Sequence, residues 1–156
     1  MPLDDPKGAV VERPPIRVSA ATISSPNAHA LARFYEQLLG WIRVDDSEGW
    51  VRIRPPSGGA GLSFHHEAHY VAPAWPSEPG GQLAMSHLDI AVENLEAGVA
   101  WAVEVGATLS RSQPQAHVRV MLDPDGHPFC LFEGSARGEF DTVDWNGTAI
   151  AEETGR

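Results

Sequence analysis

The sequence predicts an α+β protein made of two successive βαβββ modules, and three observations carry that prediction. Two amphipathic helical stretches end on glycines, Gly40 and Gly106, that stand 66 residues apart. A β-rich stretch precedes each of them, and three more follow. A Pro/Gly-rich linker, Ala68–Gln82, parts the two halves. Self-similarity at a fixed period marks one supersecondary unit used more than once.

Residues 1–15 are polar and broken by prolines, and read as an N-terminal extension. The first module is expected over residues 16–67, opening with a strand at Ile16–Ile23. In the helix that follows, Leu31, Phe34, Tyr35, Leu38 and Leu39 recur at spacings of three and four, giving one apolar face. Asn27 stands where an N-cap belongs and Gly40 where a left-handed C-cap residue belongs. Strands are then expected at Trp41–Val44, Trp50–Arg54 and Gly61–His65. The runs between them, Asp45-Asp46-Ser47-Glu48-Gly49 and Pro55-Pro56-Ser57-Gly58-Gly59, are turn chemistry: proline presets φ, while Asp and Gly supply the bends.

The second module, over 83–134, repeats this grammar. Leu88, Ile90 and Val92 alternate with His87, Asp89 and Ala91, the period of a half-buried strand. Asn94 starts the second helix, Leu95, Val99, Ala102 and Val103 line one face, and Gly106 stops it. Strands are expected at Thr108–Ser112, His117–Leu122 and Phe129–Glu133, parted by Gln113-Pro114-Gln115 and Asp123-Pro124-Asp125-Gly126. A short hairpin cannot join parallel strands, so each opening βαβ stretch needs its helix as a crossover on one sheet face. The other face is free to curve around a ligand. Residues 135–156 read as an acidic C-terminal tail.

Composition narrows the function classes. A net charge of −10 leaves no basic patch to displace counterions from phosphates, which argues against nucleic acid and against an anionic membrane surface. No apolar run approaches the roughly 20 residues of a spanning helix. The opening MPLDDPKGAVVERPP lacks the basic start and apolar stretch of a signal peptide, so a cytoplasmic location is expected. The single cysteine, Cys130, lies in the apolar run Phe129–Phe132 and is expected as a buried, unreactive thiol.

The stretch Phe34-Tyr35-Glu36-Gln37-Leu38-Leu39-Gly40-Trp41 resembles the FYxxLLGW signature of glyoxalase and bleomycin-resistance proteins. His87-Leu88-Asp89-Ile90-Ala91-Val92 resembles the strand opening their second module, and Asp123-Pro124-Asp125-Gly126-His127-Pro128-Phe129 their DPDGxxF hairpin. Over residues 16–134 the chain is thus similar to the vicinal-oxygen-chelate superfamily, in its glyoxalase-like branch. The resemblance implies a curved mixed sheet around a cup, a homodimer, and a small-molecule substrate or drug as partner. It leaves the chemistry open, because one fold hosts many reactions.

Family metal sites take one ligand from the first and one from the last strand of each module. Superposing Gly40 on Gly106 sets Ala21 opposite His87, and the resemblance makes His65 and Glu133 the closing-strand ligands. The implied set is His65, His87 and Glu133 with no donor at Ala21; a register slip of one would replace His65 by His66. Two imidazoles and a carboxylate suit a divalent transition metal, Fe, Mn, Ni, Co or Zn, with open positions for vicinal substrate oxygens. Asp89 shares the face of His87 and is the candidate general base, with Glu133 beside the substrate; Trp50 and Arg119 are candidates for the pocket wall. Two functions compete: a metal-dependent lyase, isomerase or dioxygenase, and a metal-free protein that sequesters a drug in the cup.

Overall fold

The computed structural model describes residues 10–134, and the expected tail and the first nine residues lie outside them. The first module comprises β1 (Ala20–Ser25), α1 (Ala28–Leu39), β2 (Ile42–Ser47), β3 (Trp50–Arg54) and β4 (Gly61–His66). The second comprises β5 (Leu88–Val92), α2 (Leu95–Glu104), β6 (Thr108–Leu109), β7 (Val118–Leu122) and β8 (Pro128–Glu133). Each module forms one four-stranded sheet, in the orders β1-β4-β3-β2 and β5-β8-β7-β6. The opening strand is parallel to the closing one in both, so each helix is a crossover as expected.

Both helices begin on the expected caps. Asn27 Oδ1 accepts from the Ala30 amide at 3.1 Å, and Asn94 Oδ1 from the Ala97 amide at 2.8 Å. Gly40 ends α1 at φ 67°, a left-handed conformation that costs glycine little. On α1, Leu31, Phe34 and Tyr35 are buried, with Leu38 and Leu39 packed against them. On α2 the buried face runs through Leu95, Val99 and Ala102, while Val103 stands off its side at 49 % exposure. Trp101, too, turns outward, and its indole N–H donates to Leu38 O at the open end of α1.

Strand ends differ from expectation where a partner decides them. β1 begins at Ala20 rather than Ile16, because its partner β4 begins at Gly61, opposite Ala20. Ile16 and Val18 are exposed as a result. β2 runs on through Asp45 and Asp46 past a bulge, so that Glu48-Gly49 is a two-residue turn. Arg43 makes this affordable for the acidic pair: it binds Glu36 at 2.6 Å and Asp46 at 2.8 Å. β6 stops at Leu109, where the Gln113 side chain takes over the ladder. Its amide donates to Ser110 O and Val120 O, and its carbonyl accepts from the Val120 amide.

A buried polar clasp joins the modules. Asp123, whose side chain is wholly buried, accepts from Tyr35 of α1 at 2.9 Å and from His127 Nδ1 at 2.8 Å. It also accepts the amides of Asp125 and His127, which shapes the Asp123–Gly126 turn. Ser25 at the end of β1 donates to Asp125 Oδ2 at 2.6 Å, and Tyr70 of the linker donates to Asp125 O at 2.8 Å. Around it, Tyr35 stacks on Phe64 of the first sheet and meets Phe129 of the second edge-on. Burial, then the charge and hydrogen bond of Asp123, holds the Tyr35 phenol far above its ordinary pKa. For His127, burial opposes the imidazolium, but the hydrogen bond and charge of Asp123, with the charge of Asp125, outweigh it and raise the pKa.

Two outcomes follow for stability. A Cβ on Gly61 would lie 2.2 Å from Ile53 O, so Gly61→Ala should cost at least about 2 kcal/mol through overpacking, read as a lower urea midpoint. An unchanged midpoint would mean that β3 and β4 are farther apart there. The raised His127 pKa means that the folded state holds that proton more tightly than the unfolded chain. Its stabilisation is therefore complete below the ordinary histidine pKa and is lost as pH rises through the raised one. Urea midpoints measured from about pH 6 to pH 8.5 should fall in the native protein and fall less in His127→Gln; equal slopes would contradict the clasp.

Candidate functional site

Strand register decides which side chains share a face. Leu62 and Phe64 of β4 pack in the core, and Ile23 packs against it. The opposite, open face of the first sheet therefore carries Thr22, Ser24, Ser63, His65, Trp50 and Arg52. In the second sheet, Phe129 and Leu131 are core and Leu88, Ile90 and Val92 pack on it, which leaves Asp89, Ala91, Cys130 and Val120 on the open face.

The modules superpose one residue away from the helix-based alignment. The Glu67 amide closes the first sheet on Ser25 O, as the Gly134 amide closes the second on Val92 O. His87 then corresponds to Ala20, not Ala21, and Cys130 corresponds to Ser63. The offset arises in the helices: α1 has 12 residues and α2 has 10, so their terminal glycines are not equivalent markers. The open-face positions of the first and last strands accordingly read Ala20, Ser63, His87 and Cys130.

The expected set of His65, His87 and Glu133 is not brought together. Glu133 has the parity of Phe129 and Leu131, the helix side, and pairs with Val92 at the far end of β5. His87 is five residues back along that strand, roughly 17 Å at 3.3–3.4 Å per residue. His65 does lie on the open face, with Nε2 at 3.2 Å from Ser24 Oγ and Nδ1 at 3.0 Å from His66 O, so both ring nitrogens are engaged. Its rival His66 is held by Pro26 O. Arg119 has the parity of Met121 and points to the helix side, where its guanidinium donates to Ala116 O and Val118 O. Trp50 is on the open face beside His65.

Among the described residues, one group of three ligand-bearing side chains does converge: His87, Asp89 and Cys130, whose ligand atoms all lie within 4.8 Å of one another. His87 Nε2 is 3.3 Å from Asp89 Oδ1, and the Trp75 ring is 6.4 Å from that imidazole. Cys130 is half-buried rather than fully buried as expected; burial, then the charge and hydrogen bond of Asp89, raises its pKa, which keeps it in the less reactive thiol form. A four-donor divalent centre does not fit the open-face positions, because Ala20 offers no donor and Ser63 only a buried hydroxyl. The His–Asp–Cys group offers one nitrogen, one oxygen and one sulfur, a set suited to a thiophilic ion such as zinc.

A cavity of about 450 Å³ opens at the junction of the modules, along the outer edge of β1. Ile23, Leu88, Val71, Leu83 and Met85 give it apolar walls, while Tyr35, Tyr70, His127, His69, His87 and Glu67 give it polar ones. Neither Trp50 nor Arg119 lines it. His127, not singled out as a site residue in the sequence, is part of the clasp with 19 % of its side chain exposed. Its Nε2 lies 3.2 Å from the Tyr70 hydroxyl. The signal was present as a histidine in the hairpin Asp-Pro-Asp-Gly-His-Pro-Phe, but nothing local says that Asp123 is buried beneath it.

The geometry agrees with what comparison with known proteins shows. Residues 20–132 match the family of the glyoxalase-like domain. No curated protein matches the chain. Among solved structures, a glyoxalase/bleomycin resistance protein/dioxygenase family enzyme from Burkholderia phytofirmans PsJN is similar with a TM-score of 0.56 at 17% identity, over 74% of this chain and 96% of that one. The trypanothione-dependent glyoxalase I of Leishmania major is similar with a TM-score of 0.55 at 16% identity, over 80% and 91%. TnmS3, an antibiotic-binding protein from Streptomyces sp. CB03234, is similar with a TM-score of 0.52 at 16% identity, over 78% and 98%. At such identities these structures speak for the fold alone. The paired modules, their shared strand order and the match over 20–132 together make this chain a member of the glyoxalase-like domain family, within the vicinal-oxygen-chelate superfamily.

Proposed function

We propose that this protein binds a small organic molecule in the junction cavity and does so without the four-ligand metal centre of the metal-dependent enzymes of its superfamily. The donor set supports this reading: Ala20 and Ser63 fill the first module's two positions, and Glu133 faces away from His87. Val71, Leu83 and Met85 are 63, 58 and 88 % exposed at the cavity, and apolar groups left bare around a cleft favour an organic occupant. The antibiotic-binding neighbour is a precedent for such a role on this fold. Among the described residues no helix is long and apolar enough to cross a membrane.

A second reading rests on the His87, Asp89 and Cys130 group, which would hold a transition metal and give the superfamily's lyase, isomerase or dioxygenase chemistry a Lewis acid. Asp89, bonded to the Cys130 thiol, would then act as a ligand rather than as a free base.

Metal analysis of protein purified without a histidine tag separates the two. The binding reading expects well under one equivalent of Fe, Mn, Ni, Co or Zn and no thermal stabilisation by these ions. One equivalent that disappears in both His87→Ala and Cys130→Ser would overturn it in favour of the second.

A further inference from the structure

Backbone pairing along β1 leaves one margin of the first sheet open. The Gly61 amide donates to Ser19 O and the Glu67 amide to Ser25 O, at the two ends of the parallel ladder with β4. Odd-numbered residues of that stretch therefore turn their N–H and C=O toward β4, while Ala20, Thr22 and Ser24 turn theirs outward. The His127 ring takes up the Ser24 carbonyl. Neither the amide nor the carbonyl of Thr22 has a partner among the described residues. At the other margin of the sheet β2 is broken by a bulge, whereas β1 keeps a regular register over its whole length. The junction cavity runs along this open margin, with Ala21–Ser24 in its wall. Met85, Ser86 and His87 line it too, and their backbone groups also lack partners among the described residues.

We propose that the junction cavity takes a short apolar peptide in extended form, which adds to the edge of β1 through backbone hydrogen bonds to Thr22. The proposal rests on the small-molecule reading above and names the class of molecule. An open strand edge is matched by a ligand that repeats N–H and C=O groups along an extended chain, the mode by which peptides join sheets. The wall sets the length. Ala21–Ser24 spans roughly 10 Å at 3.3 Å per residue, enough to pair with three or four residues. Side chains of an added strand alternate between its two sides. Ile23, Val71, Leu83 and Met85 offer apolar surface around the slot, which suits small apolar side chains. Charge sets the preferred ends. No Lys or Arg lines the cavity, Glu67 does, and the chain carries −10, so a free terminal carboxylate is opposed and a neutral amide is not.

Titration of the full chain with acetyl-Ala-Val-Ala-Ala-amide tests this. Saturable binding is expected, with the Thr22 amide proton moving downfield in nitrogen-15-resolved spectra as it gains an acceptor. Methylating the peptide nitrogens one at a time should weaken binding about tenfold at the alternate positions that face β1, and little at the others. The same peptide with a free C-terminal carboxylate should bind several-fold more weakly than the amide. Thr22→Pro removes the outward N–H at a place where a sheet edge tolerates proline, and should abolish binding, whereas Thr22→Val should leave it unchanged. If Thr22→Pro does not fold, the methylated peptides decide alone, because they leave the protein untouched. Equal binding of all the methylated peptides, or full binding by folded Thr22→Pro, overturns the proposal. A second copy of the chain on this edge would appear instead as a concentration-dependent dimer that Thr22→Pro breaks and the peptide does not, and that outcome overturns it too. Nile red, an apolar dye without an amide chain, separates this failure from that of the broader reading. Dye that binds but is displaced by no peptide overturns the peptide proposal alone, and failure of dye and peptides alike overturns the small-molecule reading with it.

Discussion

A carboxylate with no contact to water is tolerable only when protein groups replace its hydration, and Asp123 sets that condition for the whole molecule. Four donors meet it: the Tyr35 hydroxyl, the Asp125 and His127 amides, and the His127 ring. Each donor comes with a constraint. Tyr35 fixes α1 against the second module, the two amides force the hairpin to turn, and the ring brings Tyr70 and the linker over the junction. Removing any one would leave the charge short of a partner, so the clasp tends to form as a unit or not at all. The aromatic contacts among Tyr35, Phe64 and Phe129 seal it from solvent.

Much of this architecture was legible in the residues. The caps Asn27, Gly40 and Asn94, the face through Leu31, Phe34 and Tyr35, and the alternation through Leu88, Ile90 and Val92 depend only on near neighbours in the chain. They came out as read. What depends on a distant partner did not. β1 could not be bounded without knowing that β4 begins at Gly61, and β6 could not be bounded without the Gln113 amide that displaces it.

The candidate site was harder to read for the same reason, amplified by pleating. A strand turns over with every residue, so a shift of one moves a side chain to the opposite face. Glu133 and Cys130 differ by three positions and thus face opposite ways, though both belong to the same strand, Cys130 inside its apolar run and Glu133 at its end. The helix glycines suggested Ala21 where the ladders give Ala20, because α2 is the shorter helix. His127 was missed because its meaning lies in Asp123, whose burial is a tertiary fact.

The Gln113 side chain carries one more consequence. An open sheet ends in unpaired backbone groups that can recruit a strand from another molecule. Beyond Leu109, the groups of Val120 that would form such a template are already occupied by an amide that belongs to no strand and cannot propagate a ladder. At the outer edge of the first sheet, the bulge in β2 and its acidic pair, Asp45 and Asp46, serve the same end by curvature and charge. Each of these two margins is thus a poorer template for a foreign strand than a flat, unbroken edge would be, although neither sheet closes into a barrel.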